Sequence, residues 1–361
     1  MAAEFRSNRQ VVRDYWEWYE RACEKGWTEG LPVCPPTLDR VEEALAFLKR
    51  APDDVVGIIP PKNGLATMEQ VVINCLMAGC SPQMIPALLA ALDAVLDPAF
   101  ELAAVQITTN ACAPLIIVGG PISRTLAFNG RHGSFAGGSR ANTAVGRALR
   151  LILRNIGGAV PGVISNVSQG HPGWYSFCVV ENEDESPWGP LHVDRGFGTE
   201  ASCVTVFCCQ PPFPLYVPGT AERILRVIAA SLPTPGVNMF FGAGQLLLAF
   251  SPKPALELAR AGYTKADVRR WIWEHARFEL GQLRRAGVFG DEPHTVYWGA
   301  RRSAPNVSQM SDDTLLPMVD SPDDILVIVT GASGQWWVSF CPGWGEFGGL
   351  AVTRPVYWPG S

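Results

Sequence analysis

The side chains best suited to chemistry sit in one stretch, GHPGWYSFCVVENEDESPWGPLHVDRG, from Gly170 to Gly196. It gathers His171 and His192, the thiol of Cys178, the carboxylates of Glu181, Glu183, Asp184 and Glu185, and then Trp188, Asp194 and Arg195. Tyr175 to Val180 reads as a buried strand, so the acidic run falls at a strand end, where a rigid scaffold presents polar groups. Glu181 and Glu183 lie two apart and share a face if the strand continues. Two carboxylates held that close push one pKa upward and make an acid available near neutral pH. His192 is the best acid–base candidate among the histidines, because Glu181, Glu183, Asp194 and Arg195 surround it in sequence. Two other readings stay open. The segment is also what a solvated acidic loop packing a tryptophan looks like. Glu181, Glu183 and His192 could instead ligate a metal, although no HExxH-type spacing accompanies them.

A second polar constellation runs from Phe128 to Gly158, FNGRHGSFAGGSRANTAVGRALRLILRNIGG. A glycine-rich loop feeds a helix beginning near Ala141, and backbone N–H groups with the positive helix end make an anion site. Arg140 and Asn142 stand at its lip, with Asn129 in the loop before it. The loop is neither a Walker loop nor a GxGxxG fingerprint, so phosphate is not specified. Arg147, Arg150 and Arg154 share roughly one helix face, which also suits surface pairing with carboxylates. Asn110 and Cys112, in a tight turn between two expected strands, complete the candidate binding set with Arg195 and Trp188.

Cys80 lies between a helix ending near Ala78 and one starting at Pro82. A thiol beside a helix N-terminus is activated as a nucleophile, while a buried structural cysteine like Cys75 is the alternative. Cys178, Cys208 and Cys209 fall in strand-like runs and read as core. Cys112, in its turn, reads as the more exposed thiol.

The elements that would position these groups read as helix and strand in alternation. Helices are expected over Val11–Lys25, Leu38–Lys49, Ala66–Ala78 and Pro82–Leu96, with VVGIIPP (55–61) a buried strand. Val105–Thr109 and Leu115–Val118 then read as a strand pair. A similar order returns near position 203: VTVFCCQPP as strand, Thr220–Ser231 as helix, and VNMFF with LLLAF as a hairpin. ILVIV and WWVSF supply one more hairpin candidate. The spacing therefore predicts an α+β or α/β fold with mixed sheets. Its parts would be an N-terminal helical extension (1–52) and two related halves (53–200 and 201–361), with pockets between them.

The chain has 361 residues, 47% hydrophobic and 17% charged, enough for a large core in one body or two. A net charge of -5 and a pI near 5.6 lack the basic footprint of nucleic-acid binding. The first residues carry no apolar signal core, and no uncharged run reaches membrane-spanning length, which points to a cytoplasmic protein without a membrane partner. Ten cysteines without CxxC spacing are then buried hydrophobes or reactive thiols.

Several segments carry a resemblance: GWTEGLPVCPPT at 26–37, VVGIIPPKNGLAT at 55–67, MAGCSPQMIP at 77–86, RANTAVGRALRLILRNIGG at 140–158, and the stretch through Arg195. Together they resemble the bacterial UGSC-type selenoproteins and their cysteine homologues. The UGSC tetrapeptide is absent, so the chain looks like the long partner-type protein of that family. The resemblance implies thiol or selenol chemistry on a small molecule. The expected function is an enzyme acting on a small anionic substrate, of lyase, hydrolase or thiol-redox type. In this reading Arg140, Asn142 and Arg195 bind the anion, Glu181, Glu183 and His192 move protons, and Cys80 serves as nucleophile or redox thiol. A non-catalytic subunit that binds substrate, or a small thiol or selenol partner protein, is the rival reading. A homo-oligomer fits either, and no cofactor is specified.

Overall fold

A computed structural model describes residues 5–241, 244–287, 307–345 and 349–359. Helices α1 (Tyr15–Glu24) and α2 (Leu38–Leu48) open the chain, the first capped by Asp14, whose side chain accepts from the Glu17 amide. A hairpin, β1 (Val55–Ile59) with β2 (Gly64–Thr67), leads to α3 (Met68–Met77) through a capping box of Thr67 and Gln70. Then follow α4 (Ile85–Leu96), α5 (Leu102–Ile107), β3 (Ala113–Gly119), α6 (Ile122–Thr125), α7 (Arg140–Asn155), β4 (Cys178–Val180), α8 (Leu191–Asp194) and β5 (Cys203–Cys209). The second part brings β6 (Phe213–Tyr216), α9 (Ala221–Ser231), β7 (Leu246–Phe250), α10 (Pro252–Arg260), α11 (Lys265–His275), β8 (Arg277–Glu279) and α12 (Leu280–Arg285). It closes with β9 (Leu315–Pro317), β10 (Ile325–Val329), β11 (Trp337–Pro342) and β12 (Val352–Pro355).

Two four-stranded mixed sheets, ordered β4-β3-β5-β12 and β10-β7-β11-β6, make this an α+β protein. Both read alike from one edge: a parallel pair, then two antiparallel ones. The registers match as well. Val118 faces Val204 and Val206 faces Val352 in the first sheet, where Phe250 faces Val338 and Phe340 faces Phe213 in the second. The outer strands are exchanged: β6, which follows β5 of the first sheet, edges the second sheet, and β12, which follows β11 of the second, edges the first. A division at 200/201 therefore cuts the first sheet between β4 and β5.

Alternating side chains set the layers. Ile116 and Val118 of β3 pack against α2, α3, α4 and α7, while Leu115 and Ile117 meet Leu247 and Ala249 of β7 across the gap between sheets. Leu248 and Phe250 face α9, α10 and α11 on the far side. The order is helix, sheet, sheet, helix. Helix α2 shares the first core, so the 1–52 segment is stitched into this body through Val41, Ala44, Leu45 and Leu48.

Several expected elements differ. Residues 102–107 are helical, and VNMFF ends in a 3-10 turn (Asn238–Phe241), so neither forms the expected hairpin. The strands β10 and β11 do not pair with each other, because β7 lies between them. The VVGIIPP segment belongs to a separate hairpin and VTVFCCQPP to the centre of the first sheet, so they are not equivalent. The shared order is instead strand, helices and two strands, β3 to β4 and β5 in the first sheet and β7 to β10 and β11 in the second. Residues 242–243 of the expected turn and His294 lie outside the described residues. No single helix among the described residues is long and apolar enough to cross a membrane.

Candidate functional site

The chain assembles Glu181, Glu183 and His192 around one point, the α-carbon of Gly119 at the end of β3. A Cβ placed there would lie 2.9 Å from His192 Nδ1 and 3.4 Å from both Glu181 Oε1 and Glu183 Oε1. Only glycine leaves that space clear. The strand β4 stops at Val180, and the chain turns into a 3-10 segment at Glu183–Glu185, so the two glutamates arrive by a bend and not by strand alternation.

Each carboxylate has a backbone partner. Glu181 Oε1 accepts the Leu191 amide at 2.9 Å and thereby tethers α8. Glu183 Oε1 accepts the Gly120 amide at 2.5 Å. Glu181 is 7% exposed, and burial pushes its pKa up to about 8. The charge of Lys265 and the Leu191 N–H oppose that rise, and Glu183 and Asp194 add to it. His192 is 2% exposed and its Nε2 lies 3.4 Å from the Thr199 carbonyl. At that contact Nε2 donates to the carbonyl, and Nδ1 is buried without a hydrogen-bond partner. A carboxyl that burial keeps protonated at neutral pH and an unpartnered imidazole nitrogen thus face the same spot.

Cations surround it. Asp194 binds Lys265 Nζ at 2.8 Å and Arg269 Nη2 at 2.5 Å, and Lys265 also donates to the Gly189 carbonyl at 2.6 Å. Arg195 donates to the Ala351 carbonyl at 2.7 Å, and burial followed by the charge of Arg269 lowers its pKa. Lys265, Arg269 and Arg195 outnumber the carboxylates of Asp194 and Glu183 three to two, which favours an anion nearby. Lys265 and Arg269 escaped the sequence reading because they belong to α11, remote along the chain. Among the described residues, no group of three His, Cys, Asp or Glu side chains is arranged to hold a metal ion, so the metal alternative gains no ligand set here.

The other candidates go elsewhere. Arg140 is exposed and its Nε donates to the Gly79 carbonyl at 2.8 Å. Asn142 is buried and clamps the Asn129 backbone from both sides, accepting its amide at 2.8 Å and donating to its carbonyl at 3.1 Å. Asn129 itself donates to the His132 carbonyl and accepts from the Arg131 amide. Asn129 and Asn142 are committed to the loop before α7, whose N-cap is Ser139, and Arg140 ties the start of α7 to the end of α3. Trp188 donates to the Tyr263 carbonyl and meets Phe250 edge to face. Asn110 makes a reciprocal amide pair with Asn238, at 2.8 and 3.1 Å.

Cys80 is 3% exposed in the first core, beside Cys75 and Cys178. Burial pushes both neighbouring thiols up, Cys75 with help from its hydrogen bond to Cys80. The place expected of an activated nucleophile is occupied by packing. Cys112 is likewise fully buried, not exposed in a turn, because it sits against Cys208 behind β3. Arg147 pairs with Glu29 at 2.8 Å and Arg154 reaches the Gly26 carbonyl, so these two tie down the N-terminal segment while Arg150 turns inward. His275 stacks on Trp271, with centroids 4.0 Å apart.

Set against protein-family models, curated proteins and solved structures, the chain matches none of them. The likeness to UGSC-type chains rests on the segments quoted for it.

Proposed function

We propose that this chain is an enzyme that transfers protons on a small organic anion, with Glu181 as acid and His192 Nδ1 as base. The observation that supports it most is the meeting of two carboxylates and an imidazole, drawn from three segments, within 3.4 Å of one point at Gly119. Burial holds Glu181 in its acid form near neutral pH, as a general acid needs, and His192 Nδ1 has no other partner. Half-buried Glu183 links this interior to solvent, and Lys265, Arg269 and Arg195 supply the positive field for the substrate's charge. Cys80 has no part in this reading.

The test is exchange of substrate protons with solvent. The protein is incubated in D2O with a panel of small carboxylic acids bearing acidic C–H groups, and the loss of C–H signals is followed by NMR. Turnover in the wild type, reduced about a hundredfold or more in both Glu181→Gln and His192→Asn with folding intact, supports the proposal. No exchange in any member of the panel, or exchange unchanged in both variants, refutes it.

A further inference from the structure

A second polar cluster lies at the other end of β3, about 20 Å from Gly119 by strand rise, and does not rest on the proton-transfer reading. Its centre is Arg150 of α7, 7% exposed and with no carboxylate in ion-pair distance among the described residues. Its guanidinium lies 4.2 Å over the Trp174 ring, donates to the Trp174 carbonyl at 3.3 Å, and meets Gln106 Oε1 at 3.5 Å. Five N–H groups are available and these bonds use two.

The surroundings offer donors and leave them unused. Gln106 is 0% exposed, and with Oε1 facing Arg150 its Nε2 has no partner. Trp174 Nε1 is buried and unpaired. His171 Nδ1 accepts the Gly173 amide at 3.0 Å, so Nε2 carries the proton, and that N–H faces the Cys209 backbone. Native interiors leave few such groups. Two unpaired donors, Gln106 Nε2 and Trp174 Nε1, beside one guanidinium without an ionic partner define the complement of an oxyanion.

We propose that Arg150, Gln106 and Trp174, with His171 beside them, form a binding site for the carboxylate of a small molecule. The charge balance selects the carboxylate. Burial lowers the His171 pKa to about 4, with the Arg150 charge second, so the ring is neutral at physiological pH. Burial brings Arg150 down only to about 10, so it keeps its charge. The neighbouring Cys208 thiol is pushed well up by burial and does not supply the counter-charge. One positive charge matches one negative one, whereas a phosphate dianion would leave a buried charge uncompensated. The way in is the 3-10 turn Pro172–Trp174, where His171 and Trp174 are half-buried and Tyr175 is exposed.

The experiment is thermal unfolding of the full chain in acetate, benzoate, inorganic phosphate and chloride at one ionic strength and neutral pH. The carboxylates are expected to raise Tm by a few degrees at saturation over chloride, and phosphate is not. Arg150→Gln should abolish the carboxylate shift. Since that variant can lose its fold, Gln106→Leu is measured beside it, with each shift taken from the variant's own Tm without ligand: it removes one unpaired buried donor together with the Oε1 that Arg150 meets at 3.5 Å, and it should lose at least half of the carboxylate shift. Equal shifts for all salts, a shift with phosphate in place of carboxylate, or a full carboxylate shift in Gln106→Leu would each overturn the proposal.

Discussion

Replacing Glu181 by glutamine separates its proton from its packing. The amide keeps an oxygen for the Leu191 N–H, at 2.9 Å in the wild type, and carries no charge at any pH. In the folded chain the Glu181 carboxyl titrates at about 8, against 4.5 when unfolded. Between those values the folded state holds a proton that the unfolded state has released, so stability falls as pH rises. The Glu181 contribution is complete below about pH 4.5 and lost by about pH 8. Each unit in that window is worth about 1.4 kcal/mol, so raising the pH from about 6 to about 9 should cost the wild type about 3 kcal/mol more than Glu181→Gln. Urea unfolding of both proteins across that range measures the difference directly. Parallel stability curves for the two, or a wild type that gains on the variant toward alkaline pH, would refute a buried, protonated Glu181.

Other consequences follow from the same contacts. Gly119→Ala puts a methyl 2.9 Å from His192 Nδ1 and should cost about 1–3 kcal/mol in chemical denaturation, while a comparable substitution at exposed Gly189, where nothing lies within 4 Å, should cost far less. Asp194→Ala leaves Lys265 and Arg269 without their shared carboxylate and should destabilise by about 3 kcal/mol; an unchanged urea midpoint would show that solvent already screens the cluster. A chain ending at residue 349 lacks β12 and leaves the edge of β5 bare, so it should aggregate or lose cooperative unfolding in light scattering and calorimetry. A monomeric, cooperatively folded truncation would show that the exchanged strand is dispensable.

What the sequence revealed follows the range of the interactions. Glu181, Glu183 and His192 lie within twelve positions, and short turns bring them together, so residue type and spacing were enough to mark them. The helices were legible because their apolar period and caps are local, as at Thr67 and Gln70 of α3. The strand exchange was not. The β5–β12 pairing joins Val206 to Val352, and nothing in either short apolar run specifies which sheet edge it completes. Lys265 and Arg269 were hidden for the same reason. Arg150 was misread because three arginines at helical spacing look alike; what separates them is that Glu29 and the Gly26 carbonyl await Arg147 and Arg154, while Trp174 and Gln106 await Arg150. Gln106 sat in a segment that reads as strand and folds as helix. Cys80 and Cys112 show that a position beside a turn or helix end does not itself expose a thiol.

The most direct measurement is the titration of the Glu181 carboxyl carbon by 13C NMR in protein labelled at glutamate. Comparison with Glu181→Gln assigns the resonance. An acid poised beside the unpartnered His192 Nδ1 predicts an inflection near pH 8 and a neutral carboxyl below it. An inflection at the ordinary 4.5 would mean that Glu181 is a carboxylate at neutral pH, and the acid–base pair at Gly119 would not exist.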